Sequence, residues 1–284
     1  MLRFLKFCKY CLIRLRQYAR HVLCRPMKYS DVNMQGLSLV SFSYFGWNVF
    51  CSRDTSLLER LTYAADIYEE AELRALQREI KASRTECLLD VGANIGLISL
   101  PLLRQFPALN IQAFEPGPLQ GKFLEITIAQ NQLEERIKLH KVALADHAGE
   151  ADFYVHGSRD ASGDGLLDTH TGGATSKIKV PIVRLDDWWQ KAGRPRVGVI
   201  KMDVEGGELL VLRGGSQFLK ICRPTIMLEI SLIHIAPYPY TADNLLEWFT
   251  LNRYELETKL HGVVNKQNFK ASLAKQAVFI ARPV

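Results

Sequence analysis

Acidic residues and glycines follow three apolar runs in this chain, a combination that can bind a charged ligand. In the first run, residues 88–96 read LLDVGANIG. Gly92 and Gly96 lack a Cβ, so the backbone can approach a ligand closely where the predicted strand turns into a helix. A dinucleotide-binding loop has a glycine where this chain has Asn94, and Asp90 puts negative charge near a pyrophosphate position. The turn therefore favours a cationic ligand without phosphate.

The second run ends in an acid that suits a nucleoside. Ile111–Phe114 is followed by Glu115, which stands 25 positions after Asp90. An acid at this strand end can accept hydrogen bonds from both hydroxyls of an adenosine ribose. Enzymes that bind NAD also place an acid here, so Glu115 indicates adenosine more than a reaction. With the preceding turn, it favours S-adenosylmethionine, which carries an ammonium and a sulfonium and no phosphate.

The third run, residues 199–208, reads VIKMDVEGGE and ends in charged residues and glycines. Charged groups at the carboxyl ends of strands in an open α/β sheet face the ligand crevice. Asp203 and Glu205 are therefore candidates to orient an acceptor or remove its proton. Acids also stabilise helix N-termini, and for Glu208 this structural interpretation is as good as the functional one.

An alkyl hydroxyl needs a base or a metal ion to lower its pKa before it reacts at neutral pH. Asp203 and Glu229 follow neighbouring predicted strands and could share a divalent ion through oxygen ligands. A third ligand is not evident, so we commit to no metal site. His234 is an alternative base, although a single histidine in a Pro-rich loop is more often structural.

Alternating strands and helices must position these residues. This alternation is typical of a parallel, doubly wound α/β sheet. The predicted strands are Cys87–Val91, Ile111–Phe114, Ile137–Val142, Val197–Met202 and Thr225–Ile230. The predicted helices are Gly96–Gln105, Leu119–Gln130, Glu208–Leu219 and Asp243–Leu251.

Other elements flank this core. Leu37–Ser52 predicts a hairpin and Ser56–Ile80 one or two helices, so residues 31–84 should pack on the core. Tyr254–Lys259 and Gln276–Ala281 predict a closing antiparallel hairpin. The polar segment Gly157–Ser176 predicts a long loop, which is a lid, a binding loop or disordered.

Residues 1–30 form a basic arm. They hold eight basic and no acidic residues, and Phe4, Leu15, Tyr18 and Val22 repeat with helical spacing. Such a helix can lie on an anionic membrane surface or dock on protein, and the pattern does not choose between these uses. Of the 36 basic residues, 28 lie elsewhere, against 30 acidic ones. This balance excludes a large basic surface for nucleic acid on the remaining chain.

The predicted location is cytoplasmic. No apolar run approaches the roughly 20 residues of a membrane-spanning helix, and Arg14 and Arg16 interrupt any signal-peptide core. The six cysteines are scattered, and no second pair completes a zinc site beside Cys8 and Cys11. That usage suits a reducing compartment. The arm allows peripheral contact with the inner face of the membrane.

Several segments together resemble the FkbM-type methyltransferase family. They are DVGANIG at 90–96, FEP at 114–116, VALAD at 142–146, RLDDW at 184–188 and KMDVEGGELLVLRGG at 201–215. The likeness covers residues 68–255, and its specific part is KMDVEGGE with the downstream RGG. It implies a class I methyltransferase domain over residues 85–284, with a Rossmann-like, mostly parallel seven-stranded sheet. It also implies S-adenosylmethionine as cofactor and O-methylation of a sugar, glycolipid or natural-product hydroxyl.

The resemblance also implies roles for individual residues. The cofactor-binding group is Glu69, with Asp90, Gly92, Asn94 and Gly96 at the methionine end, Glu115 at the ribose, and Ala143, Leu144 and Asp146 near the adenine. Asp203 and Glu205 would face the acceptor, which would be a small molecule or a glycan or lipid-linked compound.

Two other functions use the same features. An NAD-type oxidoreductase on a Rossmann-like fold is the first, and Asn94 and Asp90 in the glycine turn disfavour it. The second is a catalytically silent binding protein held at a membrane by the arm. The acids Asp90, Glu115 and Asp203 are intact, which argues against a loss of catalytic activity, although the fold alone does not dictate activity.

Overall fold

The structure is a computed structural model that describes residues 29–34, 37–53, 67–156, 163–171, 175–258, 262–274 and 277–284. The predicted basic arm lies outside the described residues up to position 28. Tyr29 and Ser30, at the end of the predicted arm, belong to a strand instead. Much of the helical stretch predicted over Ser56–Ile80 also lies outside them, and its described part ends in a regular helix.

The described residues form strands and helices in alternation. The strands are β1 Tyr29–Met34, β2 Leu37–Tyr44, β3 Trp47–Ser52, β4 Cys87–Val91, β5 Asn110–Phe114, β6 Ile137–His140, β7 Ala143–Ala145, β8 Gly149–His156, β9 Thr175–Arg184, β10 Val199–Met202, β11 Thr225–Glu229, β12 Tyr254–Thr258, β13 Gly262–Val264 and β14 Val278–Pro283. The helices are α1 Glu70–Ser83, α2 Ser99–Gln105, α3 Pro118–Gln130, α4 Leu185–Lys191, α5 Glu208–Gly214, α6 Ser216–Cys222, α7 Leu232–Ile235, α8 Ala242–Leu251 and α9 Phe269–Leu273.

The central sheet has the order β13-β12-β14-β11-β10-β4-β5-β6. β11, β10, β4, β5 and β6 pair in parallel, and β14, β12 and β13 pair antiparallel at one edge. This is the predicted doubly wound, mostly parallel α/β sheet. It has eight described strands, one more than the predicted seven. The predicted closing hairpin is β12 and β14, but β13 and α9 lie between them in the chain, and β13 adds the eighth strand.

The order of the parallel strands reverses beside β4. The chain continues from β4 to β5 and β6 on one side, and returns to β10 and β11 on the other. Ligands of open α/β sheets bind at the carboxyl ends of the strands beside such a reversal. The register sets Asp90 of β4 beside Lys201 of β10, so two charged residues face each other in the middle of the sheet.

Two smaller sheets flank the central one. β7, β9 and β8 form one, in which β8 pairs antiparallel with β9 over the full length of β8. β1, β2 and β3 form the other, and it includes the hairpin predicted over Leu37–Ser52. This second sheet packs on α3: the Phe50 N–H donates to Thr127 Oγ1 at 3.2 Å and the Asn48 N–H to Asn131 Oδ1 at 2.9 Å.

The single helix predicted over Glu208–Leu219 is wrong, because the chain forms two helices there, α5 and α6. At Gly214 an added Cβ would lie 2.0 Å from the carbonyl oxygen of Ala145, so α5 can reach β7 only with glycine at this position. The buried Asp186 carboxylate accepts the N–H of Phe218 at 2.8 Å and that of Gln217 at 3.2 Å, which stabilises the start of α6. Within the described residues, no helix combines the length and apolarity needed to cross a membrane.

Candidate active site

A cavity of about 430 Å³ opens at the carboxyl ends of β4, β5, β10 and β11. The start of α1, β7 and residues 163–171 complete its walls. Its volume falls in the range of small-molecule sites, roughly 300–1,000 Å³. Six carboxylates line it, and two basic side chains of the described residues accompany them. The lining acids are Glu69, Glu115, Asp164, Asp203, Glu205 and Glu229, and the basic residues are Lys201 and His234.

The glycine turn after β4 is held by its neighbours on both sides. The N–H groups of Gly92 and Ala93 donate to the carbonyl oxygen of Phe114 on β5, at 3.0 and 3.1 Å. Gly92 has a φ of +80°, and an added Cβ would lie 1.9 Å from the carbonyl oxygen of Asp203. Asn94 also has a positive φ, 48°, and its side chain accepts the N–H of Ile95 at 2.8 Å. The turn therefore brings backbone from three strands together at one wall of the cavity.

Glu115 faces this turn from the end of β5. Its Oε2 accepts the N–H of Asn94 at 2.7 Å, and its Oε1 accepts the N–H of Gly117 at 2.7 Å. Burial raises the pKa of the Glu115 carboxyl to about 7. Because each carboxylate oxygen can accept more than one hydrogen bond, Glu115 can hold the turn and still accept from the hydroxyls of a ligand.

Asp90 lies behind the cavity rather than in its wall. Its Oδ2 accepts from the Ser99 hydroxyl at 2.6 Å, and its Oδ1 lies 3.6 Å from Lys201 Nζ. Lys201 donates to the carbonyl oxygen of Gly92 at 2.7 Å and lies 3.6 Å from Asp203 Oδ2. Burial lowers the pKa of Lys201, but the surrounding carboxylates, Asp203 and Asp90 first among them, together outweigh it and hold that pKa above its ordinary value. Lys201 thus stays charged and fixes the glycine turn against β10.

Glu205 and His234 form a close pair in the cavity wall. His234 Nδ1 lies 2.7 Å from Glu205 Oε2, and Glu205 Oε1 accepts the N–H of Gly163 at 3.0 Å. An added Cβ on Gly206 would lie 2.2 Å from the carbonyl oxygen of His234, so the glycine lets the two loops meet. Glu205 raises the pKa of His234. Burial pushes the pKa of Glu205 up, but the bond and charge of His234 hold it below its ordinary value.

Two further acids differ in their surroundings. Glu208 is buried, accepts the N–H of Gly206 at 3.3 Å, and has a pKa raised to about 8 by burial. It supports the loop before α5, so the structure places Glu208 in the structural role that the sequence allowed. Glu229 lines the cavity, and burial followed by repulsion from Asp203 raises its pKa to about 7. Among the residues the structure describes, no three His, Cys, Asp or Glu side chains are grouped to hold a metal ion.

The structure brings most of the predicted site residues to one cavity. Lining it are Glu69, Gly92, Asn94, Glu115, Ala143, Leu144, Asp203 and Glu205. Gly96 lies behind it, where an added Cβ would lie 2.8 Å from Leu124 Cδ1. Asp146 is outside the lining too, and its carboxylate lies 2.8 Å from the exposed His147 ring.

Sequence reasoning missed Lys201 and Asp164. A lysine inside the otherwise apolar run of β10 was a usable signal, since buried lysines are paired. Asp164 lies in the segment Gly157–Ser176, which was predicted as a lid, a binding loop or a disordered loop, and no single residue of that segment was singled out.

The FkbM methyltransferase domain matches residues 90–256, more than half of the chain. A methyltransferase of Sordaria araneosa, sdnD, is 31% identical over 154 residues, 45% of this chain and 59% of that protein. The 2-O-methyltransferase NoeI of Sinorhizobium fredii is 31% identical over 144 residues, 46% of this chain and 58% of that protein. The matches thus span less than two thirds of these relatives.

Other similarities extend further along the chain. The hexuronic acid methyltransferase AglP of Haloferax volcanii is 26% identical over 200 residues, 70% of this chain and 73% of that protein. The solved structure of methyltransferase FkbM from Methylobacillus flagellatus aligns with 70% of this chain and 43% of that chain, at 15% identity and a TM-score of 0.44. The domain match over residues 90–256 covers more than half of the chain and shows that it belongs to the FkbM methyltransferase family.

Proposed function

We propose that this protein transfers the methyl group of S-adenosylmethionine to a hydroxyl oxygen of a sugar, glycolipid or natural-product acceptor. The observation that carries the proposal is the content of one cavity. A nucleoside-compatible acid, Glu115, lies there beside the glycine turn, and the paired Glu205 and His234 line the same space. A donor site and a proton acceptor in one cavity are the parts that methylation of a hydroxyl needs.

The residues present fit the cofactor. Six acidic residues line the cavity. The lysine in the same wall, Lys201, already donates to the Gly92 carbonyl and lies beside two carboxylates. A ligand with ammonium and sulfonium groups is favoured by that charge, whereas the pyrophosphate of NAD is repelled. Glu115 would hold the ribose and Gly92 the methionine end, with Ala143 and Leu144 beside the adenine. When bound, S-adenosylmethionine supplies a methyl group on an already activated sulfonium.

His234 is the proton acceptor we propose, and Glu205 positions it. With the Nδ1–H directed at Glu205, the neutral ring keeps a basic lone pair on Nε2. That nitrogen would accept the proton of the acceptor hydroxyl. The sulfonium would supply the methyl group, with its carbon–sulfur bond breaking and S-adenosylhomocysteine as the leaving group. Glu205 then stabilises the imidazolium, as the acid does in other acid–histidine pairs. Asp203, 3.6 Å from Lys201 Nζ, is placed to orient the acceptor.

The acceptor class rests on the relatives. NoeI is named for 2-O-methylation and AglP for a hexuronic acid, so a sugar hydroxyl is the first acceptor to test. The basic arm supports a second proposal, drawn from sequence alone: residues 1–28 hold the enzyme at an anionic membrane surface, where glycolipid or lipid-linked acceptors are concentrated.

Transfer of labelled methyl from S-adenosylmethionine to a panel of glycans and lipid-linked sugars tests the function. The full chain should form a labelled product that survives mild alkali, because a methyl ether on a hydroxyl oxygen is stable there. His234→Asn should lose most of this labelling while Glu135→Gln, an exposed acid away from the cavity, keeps it. Label released as methanol by alkali would show a methyl ester and contradict hydroxyl methylation.

A further inference from the structure

A second cavity of about 200 Å³ adjoins the first at the ends of β10 and β11. Four residues line both spaces: Glu69, Lys201, Asp203 and Glu229. The second cavity does not reach the glycine turn or Glu115, and it extends between the start of α1 and the start of β14. It therefore leads away from the proposed cofactor site but shares Asp203 with it, which is the position expected of an acceptor compartment.

The charged side chains that line this compartment are mostly acidic. Glu69, Glu72, Asp203 and Glu229 line it, and Lys201 is the basic side chain that the described residues place there. Lys201 is not free for a ligand, because its Nζ already donates to the Gly92 carbonyl and lies 3.6 Å from two carboxylates. A carboxylate or phosphate entering this space would face four acids with no described cation available to pair with it.

The acids already repel one another. Burial raises the pKa of both Glu69 and Glu229 above the ordinary value, and repulsion from Asp203 adds to the shift in both. On Glu69 the attraction of Lys201 is stronger than this repulsion, and Glu72 adds a smaller repulsion. Lys201 acts in the opposite direction on Glu69 and does not cancel the shift. An added anion would increase this repulsion, whereas a neutral polyol offers hydroxyl donors to the carboxylates, and an ammonium group relieves the charge.

We propose that the acceptor is a neutral or amino sugar and that the acids of this compartment exclude uronic acids and phosphorylated sugars. The inference rests on the proposed methyltransferase function. It separates this chain from AglP, whose name records a hexuronic acid. Glu72 is the specificity-determining residue we assign, since it lines the compartment but not the cofactor cavity.

Three methyl glycosides with one ring skeleton test the proposal: a hexose, the 2-amino-2-deoxyhexose and the hexuronate. The full chain should show kcat/KM for the hexuronate at least about tenfold below the neutral hexose, since a carboxylate placed beside like charges in a partly buried site is repelled. The amino sugar should match or exceed the hexose. Binding of the same glycosides to protein saturated with S-adenosylhomocysteine should give the same order without turnover.

Glu72→Gln should lower the ratio of kcat/KM for the hexose to kcat/KM for the hexuronate by about threefold. Glu72→Lys should lower it further, because each substitution makes the compartment less negative. Glu135→Gln, an equal change of charge at an exposed site, should leave the ratio unaltered. Equal use of the hexuronate by the wild type, no binding of any glycoside, or an equal effect of Glu135→Gln overturns the proposal. Failure of the proposed methyltransferase function would give a different result from failure of the specificity proposal. In that case no labelled product forms from any acceptor and S-adenosylhomocysteine does not bind.

Discussion

Lys201 contacts two acidic residues and the glycine turn of the site. It lies in the centre of the parallel sheet, 3.6 Å from Asp90 and from Asp203, and it bonds the carbonyl of Gly92 at 2.7 Å. This explains why Asp90, expected at the ligand, is buried instead: its charge balances a lysine that holds the turn. The negative wall left for a ligand comes from Glu115 and the acids after β10 and β11.

Glu115→Ala should weaken binding of S-adenosylmethionine by on the order of 1–3 kcal/mol, since the ribose hydroxyls lose their acceptor. Glu115→Gln should lose less, because one oxygen remains to accept from a hydroxyl or from the turn. Calorimetric titration gives both affinities, with Glu135→Ala as the matched exposed control. Unchanged affinity in Glu115→Ala, in a protein that stays folded, would remove the ribose assignment.

The Glu205–His234 pair predicts a pH profile. His234 must be neutral to accept a proton, and its pKa is raised by Glu205 first and by Glu229 and Glu208 less strongly. Turnover should therefore rise as pH increases through a midpoint above the ordinary pKa of histidine. Glu205→Gln removes the nearest charge, so this midpoint should move to lower pH by about one unit.

The rate on the plateau should also fall in Glu205→Gln, because the ring loses the partner that orients it. His234→Asn should lower turnover by on the order of 10²-fold or more while cofactor affinity is kept. The full profile of kcat against pH separates the two effects. A midpoint that stays fixed or rises in Glu205→Gln contradicts the pairing.

At the scale of elements, the parallel strands that are buried on both faces were predictable from the sequence. The strands with one exposed face were not. β4, β5, β10 and β11 are covered on both faces, so they read as continuous apolar runs and their predicted bounds are accurate to within two residues at each end. β8 and β9 are exposed along much of one face, and their polar content hid them. The break between α5 and α6 falls at Gly214 and Gly215, and this pair of glycines is a local signal for a helix end that the predicted single helix ignored.

The turn between β4 and α2 gives the prediction at this scale. Gly92 and Gly193 have the same φ, +80°, but an added Cβ meets the Asp203 carbonyl at 1.9 Å in the first and nothing within 4 Å in the second. Both alanine variants carry the strain of a positive φ, so their difference isolates the contact. Gly92→Ala should lower the free energy of unfolding by about 1–3 kcal/mol more than Gly193→Ala, measured by urea denaturation. Equal losses would mean that the turn adapts.

At the scale of the whole molecule, the N-terminal sheet and the catalytic sheet share one core. The Trp47 ring N–H donates to the carbonyl oxygen of Leu100 at 3.0 Å, and the Tyr44 hydroxyl accepts the N–H of Tyr68 beside the cavity at 3.2 Å. Charged residues after buried strands share one sheet edge, which is why the sequence predicted the fold class and placed Glu115, Asp203 and Glu205 in the cavity wall. Glu69, Ala143 and Leu144 came from the family resemblance instead. The sequence could not predict Lys201 as an organiser or the neighbouring compartment, since both depend on the register of separate strands.

The basic arm predicts a behaviour of the complete chain. Its eight basic residues each contribute on the order of 1 kcal/mol near an anionic surface, and its apolar stripe adds to this. The full chain should co-sediment with anionic vesicles and lose binding as salt rises. Deletion of residues 1–28 should abolish binding and leave methylation of a dissolved acceptor intact. A truncated protein that precipitates or changes its oligomeric state without lipid would show that the arm packs against protein.

The choice of cofactor is the central claim, and a calorimetric titration of the full chain tests it most directly. S-adenosylmethionine, S-adenosylhomocysteine and NAD are compared at equal concentrations, ionic strength and pH. The acidic cavity and Glu115 predict saturable binding of the first two, one molecule per chain, and no measurable binding of NAD. Tight binding of NAD, with no binding of either adenosyl amino acid, would contradict the account.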